Sequence, residues 1–140
     1  MSDELHEVEH YSALIPHKWG EGARVLAALC NAGVNLVAFW GYPYSGRARL
    51  EFIPENGGAF VAAAKHIKLK LSKKHTAFHI QGDDRPGAVV DILAKLASAR
   101  INVQAVQAVC GGAGRYGAIV YLTPAAARKA KSVLGAQRFL

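Results

Sequence analysis

Apolar residues recur along this chain in two rhythms, and the rhythms come in the same order twice. Within 20–36, Val25, Leu26 and Leu29 share one face at helical spacing; within 87–103, Ile92, Leu93 and Leu96 do the same. A short β-compatible segment precedes each run, at 11–16 and 75–81, and another follows it, at 36–42 and 101–109. Turns carrying Pro and Gly, at 43–46 and 111–114, lead into a third strand at 47–53 or 116–123. A second helix then opens in each half, with Asn56 as N-cap in one, and Thr123 as N-cap with Pro124 in the first helical position in the other. Short closing strands at KLKL (68–71) and QRFL (137–140) would complete βαββαβ. The expected fold class is α+β: two ferredoxin-like units, each an antiparallel sheet with helices on one face.

The repetition is visible residue by residue. A shift of 67 positions lays GEGARVLAALCNAGVNL (20–36) on GAVVDILAKLASARINV (87–103), matching Gly20 with Gly87, Leu26 with Leu93, Ala27 with Ala94, Leu29 with Leu96, Ala32 with Ala99 and Asn35 with Asn102. The predicted organisation is a tail over 1–9, a first unit over 10–71 and a second over 72–140.

Composition narrows the class. With 140 residues, 51% of them hydrophobic and 19% charged, the chain can pack one domain or two small ones. It holds no run of the ~18 to 20 apolar residues that span a bilayer, and MSDELHEVEH is acidic rather than a basic stretch before an apolar one; a cytoplasmic protein is expected, without membrane contact. The net charge is +7, and KHIKLKLSKKH (65–75) contributes five lysines without an acid. That segment reads as a solvated face with lysine stems over apolar surface. Cys30 and Cys110 read as small buried hydrophobes. His6 with His10 and His75 with His79 are four apart, but no Cys or acid stands at a recurrent ligand spacing, so no metal or other cofactor is expected. Nucleophile-elbow, phosphate-loop and HExxH patterns do not occur, and the chain reads as a non-enzyme.

One turn carries candidate chemistry. In GDDRPGAVV, Pro86 suits the first helical position and Asp84 or Arg85 suits the cap, which needs no ligand. The same turn also suits a zwitterion: helix amides at Gly87 and Ala88 for a carboxylate, Asp84 for an ammonium, and the carboxamide of Asn102 for either.

DRPGAVVDILAKLASARINVQAVQA resembles the signature of the ACT domain, in which an Asp or Asn, any residue, Pro and Gly open the first helix and an Asn between apolar residues opens the second strand. The resemblance covers the second copy in full and reaches the first through the repeat. It implies a regulatory module that pairs side by side and binds an amino acid or similar effector at a domain interface, with Asp84, Arg85, Pro86, Gly87, Ala88 and Asn102 facing the ligand. Members that bind serine carry His where Gly82 stands, which argues against serine. In the first copy HKWG (17–20) replaces DRPG; Gly20 and Asn35 remain, and Trp19 is expected to form a pocket wall. A homodimer, and a partner enzyme or regulator to carry the signal, are expected with it. The alternative is an RNA-binding βαββαβ module: GRYGAIVY (114–121) approaches the stacking-aromatic pattern, with Gly and Arg exchanged and Ala118 in place of an aromatic, and Phe78 lies nearby. FWGYPY (39–44) alternates along a strand and is expected in core and domain-interface packing, with a pocket wall as its alternative.

Overall fold

The computed structural model describes residues 3–135 and the backbone of 137–138. Its elements run β1 (Glu4–Pro16), α1 (Glu21–Asn31), β2 (Leu36–Tyr44), β3 (Arg47–Pro54), α2 (Gly57–His66), β4 (His75–Asp83), α3 (Ala88–Ser98), β5 (Ala105–Gly112), β6 (Arg115–Tyr121), α4 (Pro124–Leu134) and β7 (Gln137–Arg138). The described residues form an α+β arrangement of antiparallel strands and four helices, with one short parallel pairing of β7 on β1. Its residues fall into two compact units: a first unit of Glu9–His75, and a second that joins the chain up to Val8 with everything from Thr76 onward.

In the first unit β3 lies between β1 and β2, pairing Tyr11 with Phe52 on one side and Phe39 with Phe52 on the other. Strand alternation sends Tyr11, Ala13, Ile15, Leu50 and Phe52 to one face, where Val25 and Leu29 of α1 and Phe60 of α2 cover them. The Phe52 ring is the centre, 5.4 Å from Phe39 and 5.0 Å from Phe60. In the second unit β6 lies between β4 and β5, with Ala118 opposite both Ile80 and Ala108. Phe78, Ile80, Val120, Ile92, Leu96 and Ala130 form its core.

Turn chemistry explains both hairpins. Ser45 and Gly46 have φ of 49° and 75°, Ala113 and Gly114 57° and 70°, so each loop has two residues with positive φ, the geometry that matches the twist of paired strands. The helix caps expected at Asn56 and Thr123 are present, accepting from Ala59 N at 2.9 Å and Ala126 N at 3.2 Å, with Pro124 opening α4. The repeat holds at the ends of α1 and α3 too. Gly20 and Gly87 open them at φ of 84° and 78°, and the chain leaves through Val34 N to Leu29 O and Ile101 N to Leu96 O.

Three expectations are corrected. Residues 4–9 are not tail but the first half of β1, and the two units divide at Val8/Glu9 and His75/Thr76 rather than at 9/10 and 71/72. KLKL is not a strand: Lys68 turns left-handed (φ 60°) as the chain leaves α2, Leu69 and Leu71 pack on the core, and pairing with β1 is confined to Ser12 and Ser72. The closing strand expected at QRFL is present over its described part, where Gln137 and Arg138 pair with His6 and Glu7; 139–140 lie outside the described residues. Cys30 and Cys110 are exposed, not buried.

Candidate functional site

The DDRPGA turn forms one side of a cleft of about 340 Å³ in the second unit. Its lining includes Asp84, Arg85, Gly87 and Ala88 from the turn and helix start, Val109 and Cys110 from β5, and Tyr116 from β6. Sheet order produces this grouping: β4 delivers the turn directly beyond Asp83, which pairs with Arg115, and β5 runs alongside through Cys110 opposite Tyr116.

The helix opens differently from the cap-only expectation. Pro86 lies in the turn, not in α3, and neither Asp84 nor Arg85 caps the helix; Gly87 is the N-cap and no side chain bonds the first-turn amides. Its left-handed φ of 78° is a conformation that a Cβ penalises, and open space surrounds the place a Cβ would take. The protein itself occupies one of the two expected donors, since Ala88 N bonds Arg85 O at 3.1 Å, and in the same turn Val90 N bonds Gly87 O at 3.0 Å. Ala88 is therefore a wall of the cleft, not an amide donor.

Asp84 is exposed at the rim, anchored by its amide to Gly114 O at 2.8 Å. The nearby Asp84 carboxylate, as an acceptor, and then burial raise the Cys110 thiol pKa above its ordinary 9.0. Arg85 pairs with Asp91 at 2.8 Å, one turn into α3. The floor is Tyr116, only 5% exposed, its hydroxyl donating to Asp3 at 2.9 Å; burial, then that bond, push its pKa up to about 12. Asp3 was missed by sequence reasoning because it is 113 residues from its partner. A side chain at Gly82 would collide with Asp3 and with the Tyr116 ring at 2.8 Å, so this turn has no room for the His of serine-binding members.

Asn102 does not join the cleft. It precedes β5, whose first residue Ala105 pairs with Tyr121 opposite Ala77, while Asp84 follows the far end of β4. About 20 Å of strand, at about 3.3 Å per residue, separates the two. In the first unit Gly20 opens α1, Trp19 is fully exposed beside it, and the Asn35 carboxamide donates to Glu55 at 2.9 Å. None of the three lines the cleft beside Gly87.

The RNA reading fails on burial. Phe78 and Tyr116 lie in the core of the second unit and Tyr121 is only 8% exposed, so none presents a ring face for a base to stack on.

A polar cluster on the first unit's helix-free face was not foreseen. Glu51, 4% exposed, accepts from Tyr42 OH at 2.6 Å and His10 Nε2 at 2.7 Å, and pairs with Arg49 at 3.1 Å. Burial pushes the Glu51 pKa up, but the bonds from His10 and Tyr42 outweigh it and hold the carboxyl below its ordinary 4.5. His10 stacks on Trp40 at 5.9 Å and lies 5.9 Å from His75, whose pKa is lowered by burial first and by the His10 charge next. FWGYPY thus divides by strand parity: Phe39 enters the core, while Trp40 and Tyr42 join this cluster and Tyr44 lies under the Arg49 guanidinium, 5.4 Å away. The signal was the alternation itself, combined with an acid in a strand otherwise rich in apolar residues.

Solved structures share this α+β fold. Protein BT0572 from Bacteroides thetaiotaomicron has a TM-score of 0.81 over 94% of this chain and 88% of its own, at 16% identity. The ligand-free regulatory subunit of aspartate kinase from Thermus thermophilus gives 0.59 over 94% and 95%, at 17% identity. Aspartate kinase from Clostridium acetobutylicum, described as an allosteric enzyme, gives 0.56 over 95% of this chain and 33% of its own, at 13% identity. No family model and no curated protein matches the sequence. At these identities the likeness is one of fold. No helix among the described residues is long and apolar enough to cross a membrane.

Proposed function

We propose that this chain is a tandem pair of ACT-like units, without catalytic activity, that senses an amino acid or related small metabolite in the cleft beside Gly87. The observation that carries the reading is the bare opening of α3: a helix start with no side-chain cap, in a cleft with the Asp84 carboxylate at its rim. An α-carboxylate would lie toward the helix dipole and an α-ammonium toward Asp84. The apolar walls of Ala88, Val89 and Val109 would accept a small side chain. The similarity in fold to aspartate kinase regulatory subunits supports a regulatory role.

Occupancy acts only if it favours one assembly state over another. Strand β5 offers an edge for such assembly: all eight residues are exposed, none is charged, and Val109 is 71% exposed. Pairing of β5 with β5 of a second copy gives an isologous homodimer, and a partner enzyme or regulator reads its state in the cytoplasm. A thermal-shift screen against the twenty amino acids tests the reading, since a ligand selective for the folded state raises Tm. Asp84→Ala abolishes the rise and Lys18→Ala preserves it; the reverse pattern, or no rise with any amino acid, rejects the proposal.

A further inference from the structure

The first unit carries a groove of about 500 Å³ lined by Ser12, Ala13, Leu14, Arg47, Arg49, Lys70, Leu71 and Ser72. Register explains how the cations meet: Leu14 pairs with Arg49 and Pro16 with Arg47, so the two arginines, one pleat apart, project from the same side of the sheet as Ser12 and Leu14. The chain after α2 brings Lys70 to the other side, fixed there by Ser72 N on Ser12 O at 2.8 Å and by Ser12 N on Ser72 Oγ at 3.0 Å.

The charges in this groove are unbalanced. Arg49 is tied to Glu51 at 3.1 Å and donates to Ser12 Oγ at 3.3 Å. Arg47 and Lys70 make no ion pair with any described residue, and no acid lines the groove. Two uncompensated cations match the charge of a phosphate monoester near neutral pH, about −1.5 to −2. The Ser12 hydroxyl, which spends a lone pair on Arg49, keeps its proton to donate. Ala13, Leu14 and Leu71 supply apolar wall for an organic remainder, and the volume exceeds what a bare phosphate fills.

We propose that this groove is a second ligand site, taking a small molecule that carries a phosphate group on Arg47, Arg49, Lys70 and Ser12. It does not rest on the amino-acid reading, because the groove and the Gly87 cleft share no residue. The alternative occupant is the backbone of a single-stranded nucleic acid.

The test is a ³¹P NMR titration of the full chain with inorganic phosphate at constant ionic strength, repeated with Arg47→Gln, Lys70→Gln and, as a control, Arg128→Gln, an exposed α4 residue that lines neither cavity. Both groove side chains are exposed, and an unchanged circular dichroism spectrum confirms folding. Saturable binding weakened about tenfold by each groove substitution, and unchanged by Arg128→Gln, is expected. No saturation at millimolar phosphate, or equal weakening by the control, overturns the proposal. So does an oligoribonucleotide that binds far more tightly than phosphate, with a steep salt dependence and the same dependence on Arg47 and Lys70.

Discussion

Replacing Glu51 by Ala removes the acceptor that organises the first unit's open sheet face. The carboxylate is inaccessible at 4% and serves two hydrogen-bond donors, Tyr42 OH at 2.6 Å and His10 Nε2 at 2.7 Å, and the Arg49 charge at 3.1 Å. Charged hydrogen bonds contribute about 1.5 to 3 kcal/mol each when buried. Tyr42 and Arg49 are partly exposed and regain water when the acid is lost, which lowers their share. The expected loss is about 2 to 3 kcal/mol for Glu51→Ala and about half that for Glu51→Gln, which keeps an acceptor without the charge. Urea unfolding followed by Trp40 fluorescence reads it locally, because Trp40 stacks on His10 whereas Trp19 is already fully exposed when folded. The sign with pH follows from the lowered carboxyl pKa: the native state holds the ionised form more tightly than the unfolded chain does, so this stability is present above about pH 4.5 and lost as pH falls through the lower folded-state value. A Glu51→Ala loss under about 0.5 kcal/mol, or wild-type and variant differing equally at pH 7 and at pH 3, refutes the assignment.

Two further outcomes are expected. Gly87→Ala costs about 1 kcal/mol from its left-handed φ alone, since open space surrounds the site, and Gly87→Asn costs less; equal stability of all three chains by urea unfolding would show that the αL cap is not required. Tyr11 and Tyr116, both pushed up to about 12 by burial first and by carboxylate bonds second, ionise late in an ultraviolet titration. Their raised values stabilise the fold below about pH 10, and that contribution disappears as pH rises toward 12; in Tyr11→Phe/Tyr116→Phe the late absorbance change loses the amplitude of two tyrosines, and a late change of unaltered size would contradict the burial described.

Much of this fold was legible because helix faces and turn residues are local signals. Val25 and Leu29, Ile92 and Leu96, the caps Asn56 and Thr123 and the Gly-bearing hairpins all followed from spacing and backbone chemistry. The first half of β1 was hidden because Glu7 and Glu9 occupy the parity shared by Leu5, Tyr11, Ala13 and Ile15. Those acids are satisfied by partners that no window reveals: Lys131 Nζ lies 3.4 Å from Glu7, and Tyr11 OH donates to Glu9 at 2.8 Å. The turn residues Asp84, Arg85, Gly87 and Ala88 were found together in one cleft, because motif residues adjacent in sequence stay adjacent in space. Asn102 was not, because its position depends on strand direction, and the helix and parallel strand that follow Gly87 carry it to the opposite end of the sheet. Tyr116, Cys110 and Asp3 completed the site only through long-range pairing.

The most direct measurement is a ¹⁵N–¹H correlation spectrum of the full chain titrated with each amino acid in turn. The account predicts that at least one of them moves the amide resonances of Gly87 and Val89 in a saturable way, with Asp84→Ala abolishing the shift. If all twenty leave those two resonances in place, the opening of α3 holds no amino acid and the sensing role is wrong.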